Sequence, residues 1–254
     1  MNLIDTHAHL NDIEDIDSAL KRAKEAGVTR IIAQGVDLSS NKKNLAIKQK
    51  FPDIDIRLAF GIHPGNIVVD QIDETFDFIR SHKENIVAIG ETGLDFWYRW
   101  VRKDDDKKNQ QREVFQKQID LAKEFDLPIV IHSRGAWSDC FSMAKENNIK
   151  KSVFHWYSGP QDVLRNILDE GYYISATPAL SYSKELQDAI KFAPIDKILI
   201  ETDTPVFYRM GESGFQSEPR DVFKTLDFLA KIKNIDLDKA AYALNENAKK
   251  IFGK

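Results

Sequence analysis

Two histidines two positions apart, His7 and His9, close the apolar run Leu3-Ile4-Asp5-Thr6-His7-Ala8-His9-Leu10. Side chains at i and i+2 of a strand point the same way, so this pair could share a divalent transition metal. A lone His-x-His pair is weak evidence. Its weight comes from repetition: His63, Glu91 with Asp95, His132, His155 and Asp203 each stand where a later apolar run gives way to a turn. The remaining histidine, His82, sits at a polar helix end and reads as solvated.

Four imidazoles (His7, His9, His132, His155) and two carboxylates (Glu91, Asp203) exceed the about three protein ligands that a catalytic zinc takes. The set suits two divalent ions roughly 3.5–4 Å apart, bridged by a carboxylate and a water. Neutral imidazoles add no charge, and two carboxylates leave such a pair net positive. The centre would attract phosphate and lower the pKa of a bound water from about 15.7 towards about 7. That chemistry is metal-assisted hydrolysis. Magnesium, manganese and zinc are the candidate ions; imidazole-rich ligation favours zinc or manganese, because magnesium prefers oxygen shells.

These residues need elements to position them. Short apolar runs at 3–9, 30–36, 56–62, 86–90, 128–132, 152–155, 172–176 and 197–201 read as strands. Amphipathic patterns at 15–26, 70–80, 113–125, 137–147, 160–170, 183–192 and 219–233 read as helices between them. Gly27 and Gly171 punctuate two helix ends. Strand–helix alternation predicts parallel pairing through βαβ crossovers, and eight units close into an α/β, (βα)8 TIM barrel. A further helix over 237–251 follows. Without a linker or low-complexity segment, residues 1–254 read as a single domain. Barrel sites lie at the C-terminal ends of strands, which turns the linear list into one cluster.

Composition sets outer limits. A net charge of −4 argues against a broad nucleic-acid-binding face but not a local one, since a metal site brings its own positive charge. The single cysteine, Cys140, excludes an internal disulfide and reads as helix filler. No basic-then-apolar leader opens the chain, and no apolar run approaches the about 20 residues of a membrane span. The expectation is a cytoplasmic enzyme with no membrane association and no obligate protein partner. Near the cluster, Arg134 could clamp a phosphate bidentately. The segment Phe96-Trp97-Tyr98-Arg99-Trp100-Val101-Arg102 mixes aromatics with arginines, as base stacking plus phosphate contact would require. Lys103, Lys107, Lys108 and Arg112, interleaved with the acids at 104–106, read as a solvated mixed-charge face.

The motifs Asp5-Thr6-His7-Ala8-His9, Gly61-Ile62-His63-Pro64, Gly90-Glu91-Thr92-Gly93-Leu94-Asp95, Ile131-His132-Ser133-Arg134, Phe154-His155, Ser158-Gly159 and Glu201-Thr202-Asp203-Thr204-Pro205 resemble, in order, those of the TatD family. The resemblance spans nearly the whole chain. It implies a metal-dependent deoxyribonuclease of the amidohydrolase-type barrels, described as a 3′–5′ exonuclease on single-stranded DNA with a role in DNA repair. It places metal ligands at His7, His9, Glu91, His132, His155 and Asp203. Glu91 would bridge two ions, and Asp203 would bind metal and orient or deprotonate the attacking water. It places phosphate contacts at His63 and Arg134; Asp95 and Trp97 complete the expected substrate-binding set. The chain departs from the family's pattern in loops, at Trp156-Tyr157, at Thr204 and Val206-Phe207, at Ser217, and in the bulky charged stretch 97–106.

Two rival readings use the same residues. One is a hydrolase of another bond, such as a D-aminoacyl-tRNA ester, an amide or a lactone. The other is a catalytically silent barrel that binds a metal or a partner; a degraded ligand set would mark it, and none is degraded here.

Overall fold

The computed structural model describes residues 2–210 and 213–253. Eight parallel strands pair in sequence order: β1 Leu3–Ala8, β2 Val28–Gln34, β3 Asp55–Phe60, β4 Ile86–Gly93, β5 Ile129–His132, β6 Ser152–Phe154, β7 Tyr173–Ala176 and β8 Ile198–Ile200. The ring closes between β1 and the segment after β8. There Asp203 N–H donates to His7 O at 3.0 Å, and His9 N–H donates to Thr204 O at 2.8 Å. The buried Asp5 carboxylate seals the same seam, accepting from Thr202 N–H at 3.0 Å and Thr202 Oγ1 at 2.6 Å. The fold is the (βα)8 barrel that the alternation predicts.

One side chain from every strand (Ile4, Ile32, Ala59, Ala88, Val130, Val153, Tyr173, Leu199) joins an apolar cluster inside the ring. Ala248, Ile251 and Phe252 of the last helix, α9 Leu237–Phe252, close that cluster. The C-terminal helix therefore plugs one mouth of the barrel and leaves the other for chemistry. The main apolar layer lies between strands and helices, where Leu58, Phe60, Phe115, Ile119, Ile131 and Phe154 pack.

The helices are α1 Ile16–Glu25, α2 Leu38–Lys50, α3 Ile72–Ser81, α4 Asp105–Phe125, α5 Trp137–Glu146, α6 Gln161–Asp169, α7 Lys184–Phe192, α8 Val222–Lys233 and α9. No described helix is long and apolar enough to cross a membrane. Three differences from the sequence reading have physical causes. Helix α2 went unread because its buried face includes Ser40, Asn41 and Asn44, which erase the apolar stripe. Helix α4 begins at Asp105 rather than 113: Asp104 caps it by accepting from Lys107 N–H, and Asp105 and Asp106 favour its positive N-terminal end. An antiparallel hairpin, β9 Phe207–Met210 with β10 Ser213–Gln216, follows the eighth strand.

Polar side chains of these helices clamp the loops at the open mouth. Gln118 of α4, fully buried, accepts from Ile62 N–H at 2.7 Å and donates to Ile62 O at 3.0 Å, fixing the residue before His63. Gln111 accepts from Asp95 N–H at 3.0 Å and donates to Pro64 O at 3.2 Å. Replacing Gln118 with Ala strands both backbone groups in an apolar setting. The expected cost is about 1–3 kcal/mol of folding stability, measurable by urea denaturation; an unchanged midpoint would show that the clamp contributes nothing.

Candidate metal centre

The open mouth gathers side chains from six of the eight strand ends. Two of the strands are irregular there: β1 slips register on β2 between Asp5 and Ala8, and β4 slips on β5 between Ile89 and Thr92. Such slips re-aim side chains, and they bracket His7 and Glu91. The His7–His9 pair thus does not rest on simple strand alternation. His9 lies just past β1, and its ring meets that of His7 edge-on at 72°. Glu91 lies within β4 rather than after it. Asp203 sits at φ +49, a left-handed conformation tolerated by Asp that is common where a site over-determines the backbone. Gly93, at φ +128, admits no side chain, because a Cβ there would stand 2.0 Å from His132 O.

Glu91 is the hub. Its Oε2 faces His7 Nε2 at 3.4 Å and His9 Nε2 at 3.4 Å. Asp203 Oδ1 joins that group, 3.5 Å from His7 Nε2 and 3.3 Å from His9 Nε2. Glu91 Oε1 faces His132 Nδ1 at 2.8 Å, His155 Nε2 at 2.9 Å and His63 Nε2 at 3.5 Å. One carboxylate thus divides two nests between its oxygens. Within each nest, imidazole nitrogens confront each other: His7 Nε2 and His9 Nε2 at 3.3 Å, His132 Nδ1 and His155 Nε2 at 3.2 Å. Two lone pairs at that separation repel unless a proton or a cation lies between them. The donor types, soft imidazole with hard carboxylate, fit a divalent transition metal. Among the described residues, His7–His9–Asp203 and His63–Glu91–His132 are each compact enough to hold an ion.

The six residues expected as ligands therefore converge. The substrate-binding set divides. His63 and Arg134 line a cavity of about 580 Å³ over the nests, with Tyr98, Trp137, Trp156 and Tyr182. Asp95 does not line it. Wholly buried, it accepts from His132 Nε2 at 2.9 Å and Arg134 Nε at 2.7 Å, holding both from behind. Trp97 is 60% exposed on the outer rim, its ring against Trp137 at 5.4 Å. Sequence reasoning missed Glu201, a buried carboxylate behind His7 and His155; its signal was its place at the end of an apolar strand, shared with the other site residues.

A family model described as TatD related DNase matches residues 4–253. The chain belongs to this family. It is 34% identical to the metal-dependent hydrolase YabD of Bacillus subtilis over 98% of each chain. It is 28% identical to the human deoxyribonuclease TATDN3, covering 100% of this chain and 96% of that protein. Among solved structures, the TatD homologue YJJV of Escherichia coli superposes with a TM-score of 0.89 at 26% identity, over 99% of this chain and 98% of that one. As a TatD-family member the chain is a metal-dependent hydrolase.

The protonation pattern follows from crowding. Burial opposes charge on His9, His132 and His155, but neighbouring carboxylates outweigh it: Asp203 and Glu91 lift His9 to about 10, Asp95 and Glu91 raise His132, and Glu91 and Glu201 raise His155. Burial wins at the other two, lowering His7 and pushing His63 down to about 3. The raised rings stabilise the metal-free fold below their unfolded value of 6.5, and that contribution is lost as pH rises towards 10. The two lowered rings act oppositely: their contribution is present above 6.5 and lost as pH falls below it. Thermal melts of chelator-treated protein should therefore fall from pH 6.5 to 10, and added zinc or manganese should raise the midpoint increasingly over that window as protons leave the ligands. A flat difference between loaded and stripped protein across the window would contradict this.

Proposed function

We infer that this chain, acting as one domain over residues 1–254, is a deoxyribonuclease hydrolysing phosphodiester bonds of single-stranded DNA from the 3′ end. The observation that carries the reading is the division of Glu91 between two nitrogen nests beneath a cavity with an arginine and aromatic planes on its wall. His7, His9, Glu91, His132, His155 and Asp203 would hold two divalent ions, with zinc or manganese best matched to the donors and magnesium less so. Bound ions supply a water nucleophile near neutral pH and positive charge opposite the scissile phosphate.

The protein's own groups do the rest. Asp203, held ionised because His9 and its neighbours outweigh the cost of burial, can take the proton of the attacking water. His63 stays neutral. Its Nδ1 accepts from Gly65 N–H at 3.0 Å, so its proton is on Nε2 and faces the cavity floor as a donor to a phosphate oxygen. Arg134 commits Nε to Asp95 and lies over the Tyr98 ring at 4.9 Å, which leaves its terminal amino groups for a second phosphate oxygen. Trp137, Trp156 and Tyr182 offer planes for a base. Outside, Trp97 and Trp100 are 60% and 50% exposed, with Arg99 and Arg102 between and beside them, and continue the track for the rest of the strand.

Two measurements test this. Hydrolysis of a labelled single-stranded DNA should vanish with chelator, return with manganese, and exceed hydrolysis of the matching RNA and of an aminoacyl-tRNA ester; faster cleavage of the ester would assign the centre to the rival chemistry. Trp97→Ala should weaken single-stranded DNA binding by about 1–3 kcal/mol in fluorescence anisotropy if the ring stacks on a base, and unchanged affinity would remove it from the track.

A further inference from the structure

One buried carboxylate stands behind the centre without a place in it. Glu201, at the end of β8, is 1% exposed. Its Oε1 accepts from Trp156 N–H at 3.0 Å and lies 3.4 Å from His155 Nδ1. Its Oε2 lies 3.7 Å from His7 Nδ1. Oε2, His7 Nδ1 and His155 Nδ1 are all buried and lack any hydrogen-bond partner. The His7 and His155 rings stack face to face at 4.2 Å and 17°, so one edge of the stack meets Glu201 and the opposite edge meets Glu91.

The tautomers follow. An imidazole that offers the Nε2 lone pair to a cation carries its proton on Nδ1. Two such N–H groups, buried side by side, need an acceptor, and Glu201 is the carboxylate that reaches both. We propose that Glu201 is a shared positioning residue that fixes the tautomer of one ligand in each nest, His7 beside Glu91 Oε2 and His155 beside Glu91 Oε1, and so couples the two ion sites. His132 has its own counterpart in Asp95, on the nitrogen away from Glu91. His7, His155 and Glu201 are also compact enough to enclose a third ion. That arrangement would strip both imidazoles of their last proton, whereas the acceptor role needs no such step.

The proposal rests on the two-ion reading, and its test reads ion binding rather than DNA cleavage. Glu201→Gln keeps the shape but leaves a single acceptor oxygen. Its amide N–H₂ would face the other Nδ1–H donor, and that ring would have to turn its proton to Nε2, away from ligation. Zinc titrated against a competing chelator should bind E201Q about 10–100-fold more weakly than wild type in at least one site, the range seen when partners behind metal-bound histidines are removed. Histidine nitrogen NMR of the zinc-loaded proteins should show His7 and His155 as Nδ1–H tautomers in wild type, with one of them altered in E201Q. Glu201→Asp, which keeps a two-oxygen acceptor, should fall between them. Chelator-treated E201Q should still unfold in one cooperative transition, its midpoint lowered only by the support that Glu201 gives to a charged His155, so that weaker zinc binding is not a loss of fold. Wild-type binding of two ions with unchanged affinity and tautomers in E201Q would overturn the proposal alone. A third wild-type ion lost in E201Q would also overturn it, and fewer than two ions in wild type would bring down the two-ion reading with it.

Discussion

The structure depends on one electrostatic constraint: a carboxylate buried where five imidazoles meet must have its charge answered on both oxygens. Glu91 is almost inaccessible, and its ionised form survives because the charged rings of His155 and His132 outweigh the cost of burial. No single element could supply that many nitrogens around one point. The strands do so only because the ring closes, and the closing bonds run through the site's own residues. Asp203 N–H to His7 O and His9 N–H to Thr204 O tie the last strand to the first at the atoms that carry the ligating side chains. Closure and ligand geometry are therefore one event.

Behind the imidazoles stands an outer set of acids. Asp95 backs His132, Glu201 backs His7 and His155, and Asp5 pins Thr202 between Glu201 and Asp203. These groups have no access to substrate; Asp95 and Glu201 face ring nitrogens of the ligands, and Asp5 fixes the backbone between Glu201 and Asp203. A site of this kind is built in two layers, with cation-facing atoms held by acceptors that see no solvent. Backbone strain collects in the same place, as in Asp203 at φ +49 and Trp156 at φ +42, whose N–H is the one that binds Glu201.

The inner layer was legible in the sequence because chemistry at a barrel mouth is tied to a readable feature, the point where an apolar strand run stops. His7, His132, His155 and Asp203 all announce themselves that way. The outer layer was not, because an acid such as Asp95 in a loop or Glu201 before a turn looks the same whether it is solvated or holds an imidazole. Trp97 illustrates the converse: an exposed aromatic in a charged loop reads as a plane for a base, while the cavity itself is lined by Trp137, against whose ring Trp97 packs edge-on outside it.

The unread helix and the half-read one fail for a shared reason. Amphipathic periodicity reports helices that bury apolar faces. Helix α2 instead turns Asn41 and Asn44 inward, donating to Gly61 O at 3.1 Å and Gln34 O at 2.9 Å, and the early turns of α4 turn Gln111 inward. These amides replace strand partners that the sheet cannot offer beyond its last paired residue, where unsatisfied backbone would otherwise be buried. The loops carrying His63 and Asp95 are held by them. The elements that fix the site most directly are thus the ones whose hydrophobic signature is most diluted. In a barrel of this kind, a helix pattern that weakens between two strong strands points towards the mouth where the backbone needs polar support.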